Sequence, residues 1–116
     1  MPSMNEEDSD LRAVAEVLAR HGETALGGRT PEEAARLWTA AGFDDPDEVE
    51  EWLAARCFDA ASALAVERAG LTPRQAATRT KAGTHAYEDT IAYKLSRGQL
   101  TFDEARRIVT RDFWDS

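Results

Sequence analysis

The stretch RTPEEAARLW (Arg29–Trp38) contains a helix start, and its pattern occurs twice more in the chain. Thr30 precedes Pro31, and Glu33 follows the threonine by three residues. A threonine in this position accepts a hydrogen bond from a first-turn amide, and a glutamate three residues on bonds back to the threonine amide. Proline suits the first helical position because its missing N–H has no helical partner there. The stretch therefore predicts a helix that begins after Thr30.

A threonine followed three residues later by Glu or Gln, and then by alanine, also occurs in LTPRQAATRT (Leu71–Thr80) and LTFDEARRIV (Leu100–Val109). These two stretches predict helix starts at Thr72, for the fourth helix, and at Thr101, for the sixth. Ser9 or Asp10 is expected to cap the first helix, and Thr84 the fifth. Asp45 is followed by proline and then by a glutamate at the third position, which predicts another start. We interpret the three threonine stretches as helix starts, and not as a repeated binding site.

The fold class follows from what lies between these starts. Apolar residues recur at spacings of three and four, and no segment shows sustained alternation of apolar and polar residues. Gly42, Gly70 and Gly98 are each expected to end a helix. Because no glycine or proline lies between Pro46 and Gly70, one long central helix is predicted near 46–69. We therefore expect an all-α fold, a compact bundle of about six helices with no β-sheet.

The composition predicts one folded domain with a light core. The chain has 116 residues and a formal net charge of −8, and Leu, Ile, Val and Phe together number only 20. Such a composition approaches that of disordered chains, but 21 alanines and three tryptophans favour a helical domain. We predict a disordered N-terminal tail over residues 1–9 and a single helical domain over 10–116.

The cellular location is predicted from three features. The only cysteine, Cys57, cannot form an intramolecular disulfide, which is typical of a reducing compartment. The first ten residues, MPSMNEEDSD, are acidic and polar, unlike a signal peptide. The longest apolar run, AASALAV (Ala60–Val66), is far shorter than a membrane span. We expect a cytoplasmic protein that does not associate with membranes.

The sequence contains no constellation that we recognise as catalytic. His85 and Asp89 are four residues apart, but a zinc site needs three or four converging ligands. Cys57 falls on the apolar face of the predicted central helix, so we interpret it as a small buried hydrophobe. Neither a phosphate loop nor a nucleophile elbow occurs. We therefore expect a protein that is not an enzyme and has no cofactor or metal.

The charge is distributed unevenly, which suggests a binding surface. Residues 1–59 carry 15 acids and 5 bases, whereas residues 60–116 carry 7 acids and 9 bases. Six of the acids form an acidic run within eight positions: Asp44, Asp45, Asp47, Glu48, Glu50 and Glu51. We interpret this run as a candidate surface for a partner protein, or as the nucleic-acid-mimicking surface of an inhibitor. A solvated helix start stabilised by the helix dipole is the alternative that needs no partner.

Two further features are candidate contacts. Phe113 and Trp114 cannot both point inward from one helix, and tryptophan is a common interface anchor, so Trp114 is a candidate partner contact. No acid lies between Glu67 and Glu88, and this basic segment (68–85) contains four candidates for nucleic-acid contact: Arg68, Arg74, Arg79 and Lys81.

The basic segment supports an alternative function. Arg74 and Lys81 are seven residues apart and would share a face of the predicted fourth helix. The order of a helix, Gly83 and a second helix is similar to a helix-turn-helix, although the turn is about two residues too long. Packing of the basic segment against the acidic half of the chain is the interpretation without nucleic acid.

Taken together, these patterns favour a non-catalytic regulator, adaptor or inhibitor that binds a macromolecule. A protein is the first choice of partner, and nucleic acid is the second. A homo-oligomer is also predicted as an option, because short helices with few large residues bury more surface by pairing.

Overall fold

The computed structural model describes the backbone of residues 2–84 and 87–114, and the side chains of residues 9–84 and 87–111. The fold is compact and mostly helical, with 64% of the chain in helices. The described part contains eight helices: α1 (Pro2–His21), α2 (Glu23–Leu26), α3 (Pro31–Ala40), α4 (Pro46–Ala54), α5 (Ala60–Arg68), α6 (Pro73–Ala76), α7 (Ile91–Ser96) and α8 (Phe102–Trp114). An antiparallel pair of strands, β1 (Arg79–Thr80) and β2 (Asp89–Thr90), lies between α6 and α7.

The helix starts predicted at Thr30, Asp45, Thr72 and Thr101 are confirmed. Three of them are capping boxes, in which the threonine hydroxyl accepts a hydrogen bond from the backbone amide three residues later. The side chain of that later residue in turn accepts a hydrogen bond from the threonine amide. The pairs are Thr30–Glu33, Thr72–Gln75 and Thr101–Glu104. The bonds from Thr30 and Thr101 lower the pKa of the Glu33 and Glu104 carboxyls. Asp45 begins α4 by accepting from the Asp47 amide at 2.9 Å.

The predicted long central helix near 46–69 is wrong, because the chain breaks it into two. Helix α4 ends at Ala54, and α5 begins at Ala60 after Asp59, whose carboxylate accepts from two first-turn amides. Between them, Arg56 lies in the left-handed region with φ of 63°. That conformation usually falls to glycine at a helix end. Since an arginine occupies it here, the sequence contains no glycine that would mark the break.

Four helices end in the same way. A left-handed residue is followed by an amide that donates to the carbonyl five residues back: Phe43 to Trp38, Cys57 to Trp52, Leu71 to Val66 and Gln99 to Lys94. Three of the left-handed residues are the predicted helix-ending glycines, Gly42, Gly70 and Gly98, with φ between 71° and 99°. Arg56 is the exception, and it lies midway between Gly42 and Gly70 in the chain. The chain therefore uses one kind of helix end four times.

The prediction that the fold contains no β-sheet is also wrong, and six helices are not confirmed. Arg79 pairs with Thr90 and Thr80 pairs with Asp89 in the two-stranded sheet. The predicted fourth helix is a single turn, and the helix predicted to start at Thr84 begins at Ile91 instead. Strands of two residues are too short to show an alternating pattern, so the sequence contains no signal for them.

The first helix is longer than predicted. Helix α1 begins at Pro2, before the caps expected at Ser9 or Asp10. It packs against α3 and α4. The side chains of residues 1–8 lie outside the described residues, and the division into a tail over 1–9 and a domain over 10–116 stays a prediction.

The core is centred on aromatic side chains where α3 and α4 meet. Trp38 and Phe43 contact edge to face with ring centroids 5.5 Å apart, and Phe43 contacts Trp52 in the same way at 6.1 Å. Fully buried alanines let the other helices approach closely: Ala35, Ala55, Ala63, Ala76, Ala92 and Ala105. Cys57 is buried as predicted, and its burial raises the pKa of the thiol to about 12.

Helix α7 is held by the loop that precedes it. Lys94 is fully buried, and its Nζ donates to the Ala82 carbonyl at 2.8 Å. Gly83 follows with φ of 103°, and the Thr84 amide donates to the Gln99 carbonyl at 2.8 Å. The loop is thus bonded to Lys94 within α7 and to Gln99 just after its end.

Candidate functional site

Some carboxylates of the acidic run form bonds within the fold, and others are exposed to solvent. Asp45 caps α4, and the Glu50 carboxylate lies 2.8 Å from the Nε2 atom of His21 on α1. The exposed members are Asp44, Asp45, Asp47 and Glu51. Part of the run therefore stabilises the start of α4 and its contact with α1, and the structure gives these carboxylates roles that need no partner.

Glu48 differs from the rest of the run because burial raises the pKa of its carboxyl, and repulsion from Glu67, Asp45 and Glu51 adds to the effect. A raised pKa in the folded state means that ionisation of Glu48 opposes folding. We expect Glu48→Gln to increase the free energy of unfolding at pH 7. The gain should vanish as the pH falls below the ordinary carboxyl range, where Glu48 is protonated in both states. Urea unfolding from pH 3 to pH 7 measures this difference.

The matched control for this prediction is Glu51→Gln, which changes an exposed carboxylate of the same helix. Its effect at pH 7 should be smaller than that of Glu48→Gln. A stabilisation by Glu48→Gln that grows on acidification would contradict the assignment.

The basic segment is not a single helix. Its four candidates are exposed but belong to different elements: Arg68 to the end of α5, Arg74 to α6, Arg79 to β1 and Lys81 to the following loop. The prediction that Arg74 and Lys81 share a helix face is wrong because α6 ends at Ala76. The helix-turn-helix interpretation is wrong for the same reason, since a strand follows α6. His85 and the side chain of Trp114 lie outside the described residues.

Three arginines from distant parts of the chain line one cavity of about 320 Å³, which we call the arginine cavity. Arg29 follows α2, Arg56 joins α4 to α5, and Arg97 ends α7. The guanidinium carbon of Arg56 lies 4.5 Å from the ring centroid of Tyr93, and that of Arg97 lies 5.3 Å from it. Both distances suit cation–π contacts, so one tyrosine orients two cations.

Arg56 is also tied to the start of α7. Its Nε atom lies 3.4 Å from Oδ1 of Asp89, a carboxylate that is buried and accepts from the Thr90 amide at 2.7 Å. The Thr90 hydroxyl donates to the Ala55 carbonyl at 2.6 Å and accepts from the Tyr93 amide at 3.1 Å. These bonds fix the α4–α5 junction against α7, and they place Arg56 and Tyr93 at the same cavity wall.

The arginine cavity carries excess positive charge. Among the described residues, no carboxylate lies within ion-pair distance of Arg29 or Arg97. The one carboxylate in the cavity lining belongs to Asp59, and its oxygens already accept from the Ala61 and Ser62 amides and the Ser62 hydroxyl. A protein of net charge −8 thus has a local cationic site.

An apolar groove of about 450 Å³ continues from the arginine cavity. Both share lining residues, including Leu26, Arg29 and Phe58. Beyond these the groove is formed by α3 and α5, with Leu37, Trp38, Ala61 and Leu64 in its walls. Leu37 is 48% exposed, although the adjacent Trp38 is buried. The two cavities form a cleft with a cationic end and an apolar end.

The sequence analysis missed this cleft. Arg29, Arg56 and Arg97 are separated by 27 and 41 residues of sequence. Each lies beside a helix boundary, and no sequence motif identifies it as a binding residue. Helical spacing placed Leu37 among the core residues of the predicted second helix. Arg56 is the only lysine or arginine between Arg36 and Arg68, which sets it apart in the sequence. Nothing near it in the sequence relates it to Arg29 or Arg97.

No family model, curated protein or solved structure matches the chain. Among the side chains of residues 9–84 and 87–111, no group of three or more His, Cys, Asp and Glu is arranged to hold a metal ion. None of the helices in residues 2–84 and 87–114 is long and apolar enough to cross a membrane.

Proposed function

We propose that the protein is non-catalytic and acts by binding another protein, as a regulator, adaptor or inhibitor, with the cleft as its binding site. The observation that carries the proposal is the apolar groove, where Leu37 remains 48% exposed beside buried Trp38. Apolar side chains that line an open groove next to the core are typical of binding sites. A partner side chain in this groove would remove Leu37 and Leu64 from water.

The other surfaces support the proposal less well. In the acidic run, Asp45 and Glu50 make bonds within the fold and Glu48 is partly buried. The basic segment is spread over several elements. Nucleic acid would also meet repulsion from a protein of net charge −8. We place the protein in the cytoplasm, where its free thiol Cys57 would remain reduced.

The experiment compares Leu37→Glu with the wild type as immobilised bait in an extract of the native host. Phe102→Glu is the matched control, because Phe102 is 38% exposed but lies on α8, outside the cleft lining. We expect the wild type and Phe102→Glu to capture the same proteins and Leu37→Glu to lose them. Both variants should melt like the wild type, since neither side chain is buried. Equal capture by Leu37→Glu would overturn the proposal for this groove.

A further inference from the structure

We infer that the partner segment in the cleft carries a large apolar side chain next to one or more carboxylates. The inference rests on the proposed function and specifies the chemistry of the partner. The apolar groove would take the apolar side chain, and the arginine cavity would take the carboxylate.

The charge of the arginine cavity leads to this chemistry. Asp89 balances Arg56, but Arg29 and Arg97 have no carboxylate within ion-pair distance among the described side chains. Asp59 is occupied by the first turn of α5. Guanidinium groups bind carboxylates through paired, charge-assisted hydrogen bonds. Within the chain, the Glu33 carboxylate attracts Arg29 from beyond ion-pair distance. A carboxylate from the partner would therefore supply the direct ion pairs that Arg29 and Arg97 lack among the described residues.

The backbone at Arg56 indicates that a guanidinium is needed at this place. The other three helix ends of this kind have glycine in the left-handed position, whereas Arg56 adopts φ of 63° with a full side chain. Non-glycine residues in this region cost stability and are concentrated at functional sites. Its side chain is 42% exposed and lines the cavity, although it also contacts Asp89 and Tyr93. Arg56 is thus held by its contacts with Asp89 and Tyr93, while part of its side chain remains accessible to a ligand in the arginine cavity.

The apolar and cationic ends are continuous, so a single short segment can reach both. Arg29 lines the two cavities, and Leu26 and Phe58 lie at their junction. A segment with neighbouring apolar and acidic side chains matches this arrangement. A polyphosphate chain matches it less well, because it offers nothing to the apolar groove and is repelled by the exposed members of the acidic run.

The test selects a phage-displayed library of random short peptides against the full chain and measures the affinity of fluorescein-labelled survivors by anisotropy. We expect survivors enriched in a large apolar residue next to Asp or Glu. Their affinity should fall on the order of tenfold or more in Leu37→Glu and in the double variant Arg29→Gln/Arg97→Gln. The matched control is Arg68→Gln/Arg74→Gln, which removes two exposed arginines outside the cleft and should leave the affinity unchanged.

Amide substitution in the peptide makes the test specific. Changing its Asp or Glu to Asn or Gln should weaken binding to the wild type, but should cause little further loss in Arg29→Gln/Arg97→Gln, because the interacting charge is already absent. Arg56→Gly provides a second, independent readout. It keeps a left-handed helix end but leaves the buried Asp89 carboxylate without its cation, so its unfolding midpoint should fall; measured where the variant is folded, peptide affinity should fall on the order of tenfold.

The outcomes separate this inference from the proposed function. Peptides that need Leu37 but show no excess of acids and ignore the arginine variants would overturn the inference and leave the proposed function standing. Peptides that are indifferent to Leu37→Glu would overturn both. Arg56→Gly with lower stability and unchanged affinity would count against the inference, because Arg56 would then serve the fold. A dimer in sedimentation that Leu37→Glu abolishes would overturn it too, since a second copy would cover the cleft.

Discussion

Gly83→Ala is expected to lower the free energy of unfolding by about 4 kcal/mol or more, at the upper end of single-substitution effects. A Cβ atom on Gly83 would lie 2.1 Å from the Gln99 carbonyl oxygen, and that neighbour is backbone that cannot rotate away. The same carbonyl accepts from the Thr84 amide at 2.8 Å. To relieve the clash the loop must separate from Gln99, which would also pull Ala82 from the buried ammonium of Lys94.

Gly42→Ala separates the clash from the backbone strain. Gly42 has φ of 99°, close to the 103° of Gly83, but nothing lies within 4 Å of its added Cβ. Gly42→Ala should therefore lower the free energy of unfolding only by the cost of an alanine in the left-handed region, about 1–2 kcal/mol. Urea unfolding followed by circular dichroism measures both variants. Equal losses for Gly83→Ala and Gly42→Ala would show that the loop yields without cost.

Thr90→Val is expected to lower the free energy of unfolding by about 2–4 kcal/mol, although it preserves the shape of the side chain. The Thr90 hydroxyl is buried and makes two bonds, to the Ala55 carbonyl at 2.6 Å and from the Tyr93 amide at 3.1 Å. Valine removes the cap of α7 and the tie to the α4–α5 junction together. Buried groups that lose a partner cost more than exposed ones, because water does not replace the bond.

Two variants control for this prediction. Thr90→Ser retains the hydroxyl and should recover most of the lost stability. Thr30→Ala removes an exposed cap with no second bond and should cost only about 1 kcal/mol. Thermal unfolding of the three proteins side by side tests the order. If Thr90→Val and Thr30→Ala lose the same amount, the bond to Ala55 contributes nothing measurable.

The predictable part of the fold consists of features decided within a few residues. The boxes at Thr30, Thr72 and Thr101 form as expected because donor and acceptor are three residues apart. The glycine helix ends were identified for the same reason. The break after α4 was missed because Arg56 adopts a conformation that its residue type does not indicate. Contacts with Tyr93 and Asp89, both distant in sequence, and the backbone bond from Cys57 to Trp52 hold it there.

The candidate site could be predicted less well than the fold. Charge counting identified the acidic run, but Glu50 bonds to His21 across 29 positions of sequence, and a one-dimensional pattern cannot show such a partner. The arginine cavity depends on three helix boundaries meeting in space, one of which is the unpredicted break at Arg56. Because the end of α4 at Arg56 was not predicted, the arginine cavity could not be predicted either.

Because Cys57 is buried, the reactivity of its thiol reports how often the fold around it opens. With a pKa of about 12 and no exposed surface, the thiol is almost wholly protonated and shielded in the native state, so alkylating reagents react with it only after it becomes exposed. It directly follows Arg56, at the joint that shapes the cleft. The rate of alkylation in native buffer therefore measures how often this joint opens, and a ligand that bridges the cleft would slow the reaction without touching the cysteine.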